Sequence, residues 1–152
     1  MRKIIQIGEL VGGLLVAVLF GVVLLQVVAR VILQVPTSWT VELGRVLFVA
    51  IVFLGSITLV YTNGHMVINT LLEFLPPRMR RVIELFTNVL IILLLGAFSF
   101  GALEKTVSNW KIVIPTLEWM TNGYMYLIVL IGGVGMLVCS IIIFVHKLRR
   151  AA

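Results

Sequence analysis

The sequence predicts an all-α integral membrane protein: four transmembrane helices, a short amphipathic helix in the membrane interface, and both termini in the cytoplasm. Three observations predict it. Of 152 residues, 61% are hydrophobic and 12% are charged, about half the ~25% charge of an ordinary soluble domain. The apolar residues are gathered into four neutral runs, each long enough to cross the ~30 Å hydrocarbon core as a helix. The Lys and Arg residues between those runs divide unequally between the two sides. A soluble domain of this size has no interior able to hide so much apolar surface, and the mean hydropathy of +1.19 agrees. The composition excludes a free soluble enzyme. It also turns the net charge of +6 from a sign of nucleic-acid binding into a sign of membrane topology.

The neutral runs cover residues 10–29, 46–64, 85–103 and 119–145. With their flanks they predict spans at about 8–30, 42–63, 82–104 and 122–146 within a single membrane domain, 1–152. Helices are the expected form because each satisfies its own backbone hydrogen bonds in lipid. Met1-Arg2-Lys3 before the first run resembles a signal peptide. The run is long for one and has no clear small-residue cleavage site, so an uncleaved helix is expected. Between spans two and three, residues 66–75 place Asn69, Thr70 and Glu73 on one helical face and apolar residues on the rest. That is too short to span and fits an interfacial helix, ended by Pro76 and Pro77.

Orientation follows from the basic residues. Arg2, Lys3, Arg78, Arg80, Arg81, Lys147, Arg149 and Arg150 fall on one side, and Arg30, Arg45, Lys105 and Lys111 on the other. The positive-inside rule puts the richer side, and both termini, in the cytoplasm. Trp39, Trp110, Trp119, Tyr124 and Tyr126 then form an aromatic belt at the outer interface.

Candidate chemistry is sparse. Intramembrane charge marks most transport and proton pathways because it is costly in lipid, and here the charges sit at span ends. Glu42 and Arg45 share a helix face at the start of the second span, with Arg30 across a short loop and Trp39 just before them. They predict a structural clasp, part of a docking face, or a solvated, minor ion pair. Gln26, Ser56, Asn88 and Ser99 are the deeper polar groups and suit interhelical hydrogen bonds. His65 follows a turn signal, Asn63-Gly64, and either completes that turn or orients the interfacial helix. Neither histidine lies mid-span, so a bis-His haem site is not expected. The single cysteine, Cys139, supplies neither a disulfide nor a cysteine zinc site. No catalytic residue, metal ligand or cofactor is expected. Small residues recur at packing distance: Gly8 and Gly12; Gly13, Ala17 and Gly21; Ala97 and Gly101; and Gly132, Gly133 and Gly135. The helical pairs share no repeat, unlike a complete small transporter.

The ordered set Trp39-Thr40-Val41-Glu42-Leu43-Gly44-Arg45, Phe53-Leu54-Gly55-Ser56, Gly64-His65-Met66-Val67-Ile68-Asn69, then Leu75-Pro76 and Arg80, resembles the small membrane (Q, or DctQ-type) subunit of tripartite ATP-independent periplasmic (TRAP) transporters. The likeness extends over nearly the whole chain. It departs from the family in having Val41 and Leu43 beside Glu42, where a second acid is frequent, Asn69 in place of Asp, and no proline near Leu130. The resemblance implies a multi-pass protein of the bacterial inner membrane without enzymatic activity. It implies sodium-coupled uptake of organic acids such as dicarboxylates or sialic acids. It also implies two protein partners: a large elevator-type membrane subunit, whose scaffold this chain braces, and a periplasmic substrate-binding protein, whose docking face it helps to form. On this likeness the partner-facing candidates are Trp39, Glu42, Arg45, Arg30, Gly55, His65 and Asn69. The other readings of the residues are an autonomous proton-coupled multidrug exporter, which would lean on Glu9, and a redox membrane anchor.

Overall fold

The computed structural model describes residues 2–61 and 76–149. Four long helices carry the fold: α1, Arg2–Val31; α2, Ser38–Tyr61; α3, Pro77–Ser108; and α4, Asn122–Arg149. All four contain a stretch long and apolar enough to cross a membrane. The expected interfacial helix over 66–75 lies outside the described residues. An antiparallel hairpin, β1 (Val113–Ile114) and β2 (Leu117–Thr121), joins α3 to α4. It adds a small β element to the all-α expectation. Pro115 cannot continue a helix, and the β-branched run Ile112, Val113 and Ile114 favours extended backbone.

The helix ends are set locally. The last carbonyls of α1 are wrapped by the following turn: Ile32 and Leu33 N–H groups reach Val28 O, and Val35 N–H reaches Ala29 O at 3.2 Å. Gln34 takes the left-handed conformation there, with φ 52°, at a cost of about 1–2 kcal/mol for a residue with a Cβ. Pro36 then blocks further helix. Thr40 restarts it, sending both its N–H (3.1 Å) and its hydroxyl (2.6 Å) to Thr37 O. α3 opens with Pro77 in its first turn, where the missing N–H costs nothing. It closes on Asn109, whose backbone N–H and side-chain amide both donate to Lys105 O.

The helices pack in the order α1, α2, α4, α3, each against its neighbour in that row. Glycines set the close approaches and reveal the directions. A Cβ on Gly8 would lie 2.7 Å from Thr58 Oγ1, and one on Gly44 3.8 Å from Leu19 Cδ1, so α1 and α2 are antiparallel. Gly132 meets Phe53 and Gly135 meets Ile57, so α4 runs parallel to α2. Gly133 meets Ser99 and Phe98 while Leu137 meets Gly96, so α3 is antiparallel to α4. The α1–α2 turn and the hairpin therefore share one end of the row, and the start of α1 and the end of α4 share the other.

The centre of the fold is the glycine cluster of α4. Gly132 and Gly135 receive Phe53 and Ile57 from α2, and Gly133, about a quarter-turn round, receives α3. With α4 stripped of side chains there, Phe53 and Phe98 stack across it with centroids 5.8 Å apart. Elsewhere burial is thin. No residue of the α1 span is buried; Gly12, Leu15, Leu19, Val22, Gln26 and Ala29 are half-covered and mark its α2-facing stripe. Its opposite side and the outer side of α3 are apolar and open, as lipid-facing surfaces must be.

Two of the four deeper polar side chains, Ser56 and Asn88, bond within their own helices, as Thr106 also does. Ser56 Oγ donates to Val52 O at 2.6 Å, Asn88 Nδ2 to Glu84 O at 2.7 Å, and Thr106 Oγ1 to Ala102 O at 2.7 Å. Each bonds back to its own helix one turn earlier, the usual local alternative for short polar side chains.

The hairpin is fastened to the helix mouth. The Trp110 ring lies 5.4 Å from that of Tyr124. A Cβ on Gly123 would sit 2.8 Å from both the Trp110 Cα and its ring. Gly123→Val is therefore expected to lift the hairpin from α4. Amide exchange over 113–121 should accelerate while exchange in the centre of α4 stays slow.

Candidate interaction site at the start of helix two

The α1–α2 turn brings the candidate residues to the opening of α2. Because α2 begins at Ser38, Trp39, Glu42 and Arg45 are all helical, and spacing alone puts the last two on one face. Arg45 Nη2 lies 2.7 Å from Glu42 Oε2. The pair is asymmetric. The Arg45 side chain is 51% exposed and that of Glu42 25%. Glu42 Oε2 is closed off from solvent, and no N–H is aligned on it for a hydrogen bond. The contact is therefore a charge contact between a largely covered acid and a half-exposed guanidinium.

Two residues before Glu42, Thr40 is fully buried and bonded to Thr37 O, which anchors the first turn. Trp39, one residue before, projects outward at 44% exposure. Arg30 is exposed at the end of α1 and has no ion pair among the described residues; the neighbour that reaches Glu42 is Arg45. The two arginines thus give this mouth two outward cations and one shielded acid.

The remaining candidates fall elsewhere. Gly55 lies on α2, and a Cβ built on it would meet nothing within 4 Å among the described residues. Among the described residues, no neighbour requires its small size. His65 and Asn69 lie outside the described residues. Glu9, the residue an exporter would rely on, is exposed one position from the Gly8–Thr58 contact. Among the described residues no group of three His, Cys, Asp or Glu side chains converges. The described arrangement offers an aromatic ring, a guanidinium pair and a shielded acid to a partner.

Four long apolar helices, with their charged side chains near the ends, define an integral membrane protein. The family described as "Tripartite ATP-independent periplasmic transporters, DctQ component" matches residues 19–150. The chain belongs to that family, the small permease components of TRAP transporters, and is a multi-pass inner-membrane protein. Two curated relatives frame it. The sialic acid TRAP transporter small permease protein SiaQ of Vibrio cholerae is 27% identical over 137 residues, covering 90% of this chain and 79% of SiaQ. The sialic acid TRAP transporter permease protein SiaT of Haemophilus influenzae is 29% identical over 127 residues, covering 83% of this chain but only 20% of SiaT. This chain therefore spans a fifth of that longer permease.

Proposed function

We propose that this chain is the small permease subunit of a sodium-coupled TRAP transporter for organic acids. It braces the static scaffold of a large elevator-type membrane subunit and contributes to the face on which a periplasmic substrate-binding protein docks. It carries no catalytic activity of its own. The observation that carries this reading is the match to SiaT: a region similar to 83% of this chain is one-fifth of a single longer permease. A segment that exists both as a small protein and as part of a larger one belongs beside the remainder of the larger one.

The physics supports a bracing role. Substrate and ion pathways through a bilayer need polar or ionisable groups at depth, and the spans here keep their charges at the ends. Three helix seams with little burial leave long apolar sides free for lipid or for a neighbouring subunit. The two outward arginines and Trp39 at the α1–α2 mouth lie on the side to which the positive-inside rule assigns the periplasm. They suit contact with a soluble partner there. The relatives' names make sialic acid the first substrate to test, with C4-dicarboxylates second.

The test is purification in mild detergent from cells that also make the large subunit, joined to an uptake assay. The large subunit is expected to copurify in a fixed ratio, and deletion of this chain is expected to abolish uptake of the organic acid. Recovery of the chain alone, with uptake intact after its deletion, would remove the proposal.

A further inference from the structure

We propose that the 109–121 hairpin is a membrane-surface element, which lays Trp119, Trp110, Ile112 and Val113 into the lipid headgroup layer at the α3–α4 mouth. Three features of the hairpin lead there.

The first is its reach. α3 ends at Ser108 and α4 begins at Asn122, so both stems of the hairpin are span ends. Asn122 N–H bonds to Ile112 O at 2.9 Å, Val113 pairs with Thr121, and Trp110 is seated on Gly123 and Tyr124. The hairpin is tied down at its base and stays at the level where the helices leave the hydrocarbon.

The second is its division of side chains. Ile114 and Leu117 are each 3% exposed, so the hairpin already has an inward apolar side. It nevertheless leaves four large apolar side chains open. Trp119 is 73% exposed, and Trp110, Ile112 and Val113 are each 45–50% exposed. Leu103 and Val107, on the last turns of α3 before the hairpin, are open and apolar as well. The hairpin's two charges, Lys111 and Glu118, cancel. That suits neutral headgroups and gives no reason for an anionic partner.

The third feature sets the depth. Val113 pairs with Thr121 and Ile114 with Leu117, so Glu118, Trp119 and Met120 bulge out with no residue opposite. Backbone groups without a ladder partner need water or another hydrogen-bonding group and are not tolerated in hydrocarbon. Four large apolar side chains need the reverse. An indole ring with its N–H meets both demands at the membrane–water boundary, where Trp is enriched. The headgroup layer satisfies backbone and side chains together.

The test uses the full chain in nanodiscs with Trp119 as the sole tryptophan (W39F/W110F). Lipids brominated near the carbonyl end of the acyl chain are expected to quench Trp119 several-fold more than lipids brominated at the chain terminus. Aqueous iodide is expected to quench it weakly, and the anionic lipid fraction should not change the result. The wild-type signal minus that of W119F supplies the same reading should the double variant fold poorly. Strong iodide quenching with indifference to both lipids overturns the proposal. So does shielding that arises only after a periplasmic binding protein is added, which would assign these side chains to a protein.

Discussion

Gly132→Leu is expected to divide the molecule. A Cβ at this position alone would lie 2.6 Å from Phe53 Cβ and 3.1 Å from both Phe53 Cδ1 and the Phe53 carbonyl oxygen. Two of these atoms belong to the root and backbone of the neighbouring helix, so no rotamer change relieves the overlap and α2 has to move as a body. The Phe53–Phe98 stack, of a kind worth about 0.5–1.5 kcal/mol, goes with it. The row arrangement magnifies the loss. α1 packs on α2, and α2 on α4, so a broken α2–α4 seam releases both helices. Overpacking usually costs about 1–3 kcal/mol, and this site is expected at the upper end. The spans stay inserted, since association in lipid follows insertion. The expected readout is a wide separation of labels on α1 and α3, with a lower melting temperature in detergent. Gly21→Leu is the control: it is exposed, nothing lies within 4 Å of its built Cβ, and the isolated chain should be unaffected. Gly135→Ala should be milder, because it meets the flexible end of Ile57. An unchanged label separation in Gly132→Leu would mean that this seam does not hold the helices together.

The contrast between Gly132 and Gly21 also shows which parts of the molecule the sequence discloses. The four helices are written in uninterrupted apolar composition, because lipid imposes the same rule on every span whatever its neighbours. The order in which the helices pack is not written there. Glycines at packing distance occur in α1, α3 and α4 alike, and small residues read as equivalent until a neighbour is placed against them. In the structure Gly13, Ala17 and Gly21 are exposed, while Gly132, Gly133 and Gly135 form the centre. The hairpin is not legible in the sequence for a related reason. Its Trp and Ile residues blend into the hydrophobicity of the following span, and Pro115 was the one local signal against helix. The Glu42–Arg45 pair was legible because helical spacing alone brings the two together. Arg30 depended on the course of a loop, which no periodicity describes.

Glu42→Ala is expected to spare the chain and damage the complex. Exposed pairs three or four residues apart on a helix contribute about 0–1 kcal/mol, and the Arg45 side chain is already 51% exposed. Removing its partner returns the guanidinium to water at little cost, so the melting temperature of the isolated chain should barely change. The loss lies in direction. Glu42, with its Oε2 closed to solvent, holds Arg45 in one orientation at the α1–α2 mouth. A guanidinium so held keeps its other donors available for a carboxylate or a carbonyl of another subunit, in the planar geometry that makes Arg suited to interfaces. Freed, it has to be reordered on binding. Recovery of the large subunit, or affinity for the periplasmic partner, is expected to fall about tenfold, equivalent to ~1.4 kcal/mol. Arg45→Ala should have a similar effect, and the double variant should be no worse than either single one, since all three remove the same positioned group. Glu42→Gln separates charge from shape: it should behave as Glu42→Ala does if charge orients Arg45, and as wild type if a hydrogen-bond acceptor suffices. Unchanged assembly and uptake in Glu42→Ala would reduce the pair to a solvated surface contact. Strictly additive losses would show that Glu42 and Arg45 meet their partners separately.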